Sequence, residues 1–251
     1  MPRFYIPPAR WNAGSLLLDA DESHHATGVL RLKTGDRVTV FNGEGEQAAA
    51  EIAGGGKRAL ELRPLEITAS PKPSCRITLG QAVPKGKTMD LIVQKATELG
   101  ASAVVPLLTE RTVVQCDARE TEKKREKWQT VAVEACKQCG QNWLPAVAAP
   151  QSLGELLASA ADFDLLLIAS LQPDARHPKA VLAEARSEKG GSPQNVLVLV
   201  GPEGDFTDAE IALAKARGCR PVTLGPIILR AETAALYCLS VLSYELLGES
   251  R

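Results

Sequence analysis

The chain changes rhythm near residue 75. Before that point apolar positions come in short runs that alternate with polar ones or draw on β-formers: Arg3–Ile6, Ser15–Leu18, Arg37–Phe41, Gln47–Ile52 and Ala59–Ile67. A period of two marks a strand with one buried face. Asn42-Gly43 and Gly54-Gly55-Gly56 read as turns, and Glu22–Leu32 as one short helix opened by Asp21 and closed near Gly35. This pattern predicts a small β-barrel or sandwich over residues 1–70. Ala69-Ser70-Pro71-Lys72-Pro73-Ser74 carries neither period, so residues 71–74 read as a linker.

Past residue 75, apolar strands without alternation are separated by helical segments. Ile77–Val83, Ala103–Leu108, Asp164–Ala169, Asn195–Val200 and Pro221–Leu224 are the predicted strands. Met89–Leu99, Glu122–Cys139, Pro178–Ser187 and Ala231–Leu247 are predicted helices, with Gly100 and Gly140 as stops. Ser152-Leu153-Gly154-Glu155 and Thr207-Asp208-Ala209-Glu210 have capping-box spacing and open two more, the second ending at Gly218. Such strands predict an α/β domain over residues 75–251, its parallel sheet covered on both faces.

Open parallel sheets bind ligands beyond the carboxyl ends of their strands. Three loops fall there: Ser170-Leu171-Gln172-Pro173, Gly201-Pro202-Glu203-Gly204-Asp205-Phe206, and Gly225 through Thr233. The second has two glycines and a proline in four residues, but two carboxylates and no lysine, which suits a neutral or cationic ligand rather than a phosphate. No Gly-x-Gly-x-x-Gly follows the first strand of the α/β domain, which weakens a dinucleotide reading. In the third loop Arg230 and Glu232 stand among apolar neighbours. A charge drawn into a core costs several kcal/mol unless it is paired or functional, so a structural ion pair between them and a functional role both stay open.

Composition narrows the class. With 45% hydrophobic and 24% charged residues, whole-chain disorder is excluded. No run approaches the roughly 18 apolar residues of a membrane span, and the first residues lack the apolar stretch of a signal peptide. Six cysteines are too few for a disulfide scaffold, so the expected compartment is the cytoplasm. The net charge of −1 argues against nucleic acid only as an average: residues 71–130 hold 11 basic and 7 acidic side chains, while the segments on either side are acidic. The surplus lies at Arg119, Lys123, Lys124, Arg125 and Lys127, interleaved with Glu120, Glu122 and Glu126. That run is either a solvated helix face or, with Lys85 and Lys87, a phosphate-contacting stripe. Trp128, within it, is the best candidate among the tryptophans for stacking on a base, beside the reading of a core anchor. Cys136-x-x-Cys139 has no second pair, so no metal is expected. His24-His25 reads as a helix-surface pair and His177 as a loop residue.

Longer motifs carry a resemblance. Gly201-Pro202-Glu203-Gly204, Leu224-Gly225-Pro226 and Ile228-Leu229-Arg230-Ala231-Glu232-Thr233-Ala234 resemble the C-terminal signature of the SPOUT methyltransferases. His25 with Val29–Asp36, Lys85 with Met89–Gly100, Pro106-Leu107 with Thr109-Glu110-Arg111, and Glu134-Ala135 with Lys137–Gly140 extend it across the chain. The nearest likeness is to the ribosomal RNA small subunit methyltransferase E family. The resemblance implies a PUA-like RNA-binding β-barrel at 1–70 and a SPOUT domain at 75–251 with a C-terminal trefoil knot. It implies a homodimer that transfers methyl from S-adenosyl-L-methionine to N3 of one uridine in small-subunit (16S) ribosomal RNA, free or in the assembled small subunit.

On that reading Leu171, Gly201, Pro202, Glu203, Gly204, Leu224, Gly225, Ile228, Leu229, Thr233 and Ala234 hold the cofactor. Arg230 stabilises charge on the uracil, with Glu232 or Glu203 as base. Arg31, Lys33, Lys85, Lys95, Arg111, Lys123, Lys124 and Arg125 contact RNA. Three positions depart from the family pattern: Asp205 for a second glycine, and Ile227 and Gln141 for arginines. The loss of two arginines leaves a rival reading, a catalytically silent RNA-binding or ribosome-assembly protein on the same fold.

Overall fold

The structure is a computed structural model that describes residues 1–56, 59–112 and 118–248. Two compact units emerge: Met1–Lys72 with Val133–Leu144, and Pro73–Ala132 with Pro145–Arg251.

The first unit is built on a five-stranded sheet. Its strands are β1 (Arg3–Tyr5), β2 (Leu16–Leu18), β3 (Arg37–Phe41), β4 (Glu46–Gly56) and β5 (Ala59–Ala69), in the order β1-β3-β4-β5-β2. The β1–β3 pair is parallel and the rest antiparallel. The alternating residues converge as expected: Phe4, Leu16, Leu18, Val38, Val40, Ala48, Ala50, Ile52, Leu60 and Leu62 form one buried cluster. Gly54-Gly55-Gly56 is not a turn but the end of β4, beside a register shift between Ile52 and Gly54. Helix α1 (Ala20–His24) starts earlier than its pattern suggests, because Asp19 and not Asp21 accepts the Glu22 N–H, at 2.9 Å. It continues as a π-turn over His25–Val29 and stops where Arg31 takes a φ of 58°.

Residues 133–144 join this unit through polar contacts. Lys137 reaches Glu22 at 3.0 Å, with the two side chains 8% and 12% exposed. Arg3 donates to Gln47 Oε1 at 2.9 Å and Asn142 Oδ1 at 2.8 Å, and its guanidinium lies over the Phe41 ring.

The second unit holds a seven-stranded parallel sheet: β6 (Arg76–Ala82), β7 (Ala103–Leu108), β8 (Ala146–Val147), β9 (Gln151–Ser152), β10 (Leu165–Ala169), β11 (Asn195–Val200) and β12 (Arg220–Val222). The order is β12-β10-β11-β6-β7-β8, with β9 also on β7. Its helices are α2 (Thr88–Glu98), α4 (Leu153–Leu157), α5 (Pro178–Lys189), α6 (Asp208–Ala216) and α7 (Ala231–Leu246), and α3 (Ala118–Cys139) begins here.

Both sheet faces are covered, as uninterrupted apolar strands require. Leu166, Ile168, Leu197 and Leu199 pack with Leu156 and Leu157 of α4 and with Ile211 and Ala214 of α6. On the other face Leu167 and Val198 meet Pro178 of α5 with Cys238 and Leu242 of α7. Gly80 is needed in β6: a Cβ there would stand 2.6 Å from a Leu199 methyl. Both capping boxes form, at Ser152 and at Thr207. His177 is more than a loop residue; it caps α5, its Nδ1 accepting the Lys179 N–H at 3.2 Å.

Candidate functional site: a pocket at the carboxyl ends of three strands

Strands β10, β11 and β12 deliver their loops to one place. A pocket opens there, walled by Ala169, Ser170 and Leu171 at the end of β10, by Val200, Gly201, Pro202, Glu203 and Asp205 at the end of β11, and by Leu224, Gly225, Ile227, Ile228 and Leu229 after β12. Ala231 and Ala234, one turn apart at the start of α7, complete it. The lining holds two carboxylates and no lysine or arginine.

The turn after β11 is tightly folded. The Asp205 N–H donates to the Pro202 carbonyl at 3.0 Å, and Asp205 itself sits at φ 61°. Its Oδ1 accepts from the Phe206 N–H at 2.8 Å. A Cβ at Gly201 would meet Asp205 Oδ1 and the Phe206 nitrogen at 3.1 Å, so this position has little room for a side chain. Two neighbouring loops brace the turn. The Lys85 N–H donates to Glu203 Oε1 at 3.1 Å, and the Arg111 guanidinium donates to the Gly204 carbonyl.

Of the eleven residues expected to hold a cofactor, nine line the pocket; Gly204 and Thr233 do not. Ser170, Asp205, Ile227 and Ala231 also line it, within the three loops expected to bind a ligand but not among the expected cofactor contacts, and Ala169 and Val200 line it from outside those loops. Ala169 and Val200 are the last residues of two buried strands, and that position was the available signal.

Arg230 and Glu232 do not line the pocket, although Leu229 and Ala231 do. Arg230 is exposed as the N-cap residue of α7, so it does not enter a core, and it makes no ion pair with Glu232 among the described residues. The structural-pair reading therefore fails.

The basic candidates divide. Lys95 bridges to Glu98 at 2.8 Å, and Arg125 is held by Glu122 through its Nε at 2.8 Å. Arg31, Lys33, Lys85 and Lys123 are exposed, and their charged side-chain ends form no ion pair among the described residues. Lys124 is half-buried. Trp128 is 4% exposed and donates its indole N–H to Asp90 at 3.0 Å, so it is a core anchor and not a stacking surface. Cys136 is buried, and burial pushes its thiol up to about 12, whereas Cys139 is exposed on the same helix. No cluster suited to a metal occurs among the described residues.

An open parallel sheet with a glycine-turn pocket at its carboxyl edge defines a class, and the sequence comparisons give the class a name. Residues 70–243 match the RNA methyltransferase domain family, and residues 18–65 the RNA methyltransferase PUA domain. The ribosomal RNA small subunit methyltransferase E of Bacillus subtilis is 32% identical over 98% of this chain and 97% of its own. That of Aquifex aeolicus is 31% identical over 95% and 97%. Among solved structures, a Legionella pneumophila methyltransferase in complex with SAM aligns with a TM-score of 0.86 at 32% identity, over 97% of both chains. The Neisseria gonorrhoeae ribosomal RNA small subunit methyltransferase E, bound to S-adenosyl methionine, aligns at 0.81 and 30% over 98% of both. The chain belongs to the ribosomal RNA small subunit methyltransferase E family.

Proposed function

We propose that this protein methylates N3 of one uridine in 16S ribosomal RNA with S-adenosyl-L-methionine as donor. The observation that carries the proposal is the pocket: three strand ends converge on a cavity of apolar and backbone groups with carboxylates and no basic lining residue. That donor set fits a cofactor whose sulfur is cationic. A lining without lysine or arginine fits an adenine held by backbone groups rather than a lysine-rich phosphate cradle. When bound, the cofactor supplies an electrophilic methyl group.

The chain's own residues then have two tasks. Uridine N3 must lose a weakly acidic proton before it can attack, and negative charge spreads onto the uracil oxygens. Arg230 stands exposed between two pocket-lining residues, with no carboxylate partner among the described residues, and is available to stabilise that charge. Glu203 and Glu232 are the candidate bases. Glu203 lines the pocket and accepts the Lys85 N–H on Oε1, while Glu232 follows the pocket-lining Ala231 on α7.

The wider reading follows from the same resemblance. Residues 1–70 act as the PUA-like barrel, 71–74 as the linker and 75–251 as the SPOUT domain. The chain leaves edge strand β12, passes the ends of β10 and β11, and returns as α7 to pack on β6 and β11, a path that supports a C-terminal trefoil knot. The working form is a cytoplasmic homodimer acting in ribosome biogenesis.

The test is calorimetry with S-adenosyl-L-methionine, followed by methyl transfer to small subunits lacking the modification. Arg230→Ala should lower kcat by about 100-fold or more, on the scale of losing one charge-stabilising donor, and leave cofactor affinity within a few-fold. Wild-type turnover in that variant removes Arg230 from the chemistry. Cofactor binding without any transfer by the wild type favours the silent RNA-binding reading.

A further inference from the structure

We propose that Arg111 is a positioning residue that latches the cofactor turn, rather than an RNA contact. Its guanidinium donates to the Gly204 carbonyl. A peptide unit is planar and trans, so its C=O and the following N–H point in opposite directions. Holding the Gly204 carbonyl toward Arg111 therefore aims the Asp205 N–H back at the Pro202 carbonyl, where it bonds at 3.0 Å. It also goes with the φ of 61° at Asp205. Flipping this one peptide would release both bonds and open the turn that forms one wall of the pocket. The fit around the latch is close: a Cβ on Gly204 would stand 3.3 Å from Arg111 Cδ.

Arg111 is itself mounted rigidly. The Glu110 N–H donates to Glu210 Oε1 at 3.0 Å, and Glu210 is a buried capping-box residue of α6. The Thr109 and Thr112 hydroxyls bond at 2.7 Å, and the Thr112 N–H donates to the Thr109 carbonyl at 3.0 Å. The tight turn after β7 thus presents its arginine to the turn after β11. Arginine suits the task because its donors are fixed in a planar fork. The affinity part of this inference rests on the cofactor reading above; the loop-ordering part does not.

Arg111→Ala and Arg111→Gln separate the alternatives. Gln keeps an N–H donor and loses the charge. Amide hydrogen exchange on the ligand-free protein should show peptides spanning 201–206 exchanging several-fold faster in Arg111→Ala, with the core strands unchanged and the midpoint of thermal unfolding nearly so. The Kd for S-adenosyl-L-methionine should rise about tenfold, the scale of one charge-assisted hydrogen bond, with Gln recovering part of the loss. RNA affinity should keep its salt slope. A slope reduced by about 0.7–0.9, with loop exchange unchanged, would mean a phosphate contact and overturn the proposal. If the wild type binds no S-adenosyl-L-methionine, the cofactor reading falls, and the exchange data alone decide for or against the latch.

Discussion

Asp205 occupies the left-handed region, at φ 61°, which favours glycine. An L-residue there costs about 1 kcal/mol or more relative to glycine. Aspartate offsets part of that cost because its short carboxylate can bond locally, here from the Phe206 N–H at 2.8 Å. Asp205→Ala keeps the strained backbone and loses the bond, so it should lower unfolding stability by about 1–2 kcal/mol. Asp205→Gly loses the bond but relieves the strain, and should cost less than half as much. Urea titrations of the three proteins check the order, and equal losses in both variants would remove φ as the cause. Gln141 is accounted for differently. Its Oε1 accepts the N–H groups of Asn142 and Trp143 at 3.0 and 3.2 Å, closing the chain reversal after α3. Nothing in the fold requires isoleucine at 227. The glycines and prolines of the pocket loops were legible because they punctuate apolar runs. Asp205's role was not, since an aspartate in a loop carries no mark of its φ. At Arg111 too the sequence shows only a cation, and the fold adds the Gly204 carbonyl that it meets.

At the scale of elements, Asp164 joins the starts of β10 and β11. Its Oδ2 accepts the N–H groups of Gln194 and Asn195 at 2.8 and 2.9 Å, and Lys189 pairs with the same carboxylate. The bond from Lys189, followed by that from the Gln194 backbone, holds its carboxyl below the ordinary 3.8. A depressed folded value means that the unfolded chain binds the proton first as pH falls. The contribution is therefore complete above about pH 5 and disappears as pH drops through 3.8 to the lower folded value. Asp164→Asn should destabilise the protein by about 1 kcal/mol at pH 7, a figure kept small because the site is solvent-exposed, and by progressively less as pH falls below 3.8. Urea midpoints across that range decide it; a loss that does not change with pH would point to packing instead.

The elements themselves were well marked where apolar runs are long. Arg37–Phe41, Ala103–Leu108 and Asn195–Val200 have the bounds their patterns indicate. Strands β8 and β9 have two residues each, too few to show a period, and the π-turn at His25–Val29 continues a helix pattern that periodicity cannot tell from α. Gly54–Gly56 looked like a turn because glycine punctuates loops, yet ladder pairing with β5 carries it as strand.

Across the whole molecule, the net charge of −1 conceals a basic segment, and the structure divides that segment by what its cations already do. Arg125 is committed to Glu122, and Lys127 to Asp90 through both carboxylate oxygens at 2.8 and 2.6 Å. Lys123 is exposed on the same helix without such a partner among the described residues. A cation bound to a carboxylate releases fewer counterions from RNA, because it must first give up its own pair. If α3 contacts ribosomal RNA, Lys123→Glu should weaken binding and flatten the plot of log affinity against log salt by about 0.7–0.9, the value for one phosphate contact on a single strand or a duplex. Arg125→Glu should lower affinity less, and it also sets two carboxylates three residues apart, which costs the exposed helix a few tenths of a kcal/mol. Fluorescence anisotropy with a small-subunit RNA fragment over a potassium chloride series measures both slopes. Unchanged slopes for both variants would make the basic run a solvated helix face and shift the RNA-contacting role to Arg31, Lys33 and Lys85, expected contacts whose side chains form no ion pair among the described residues.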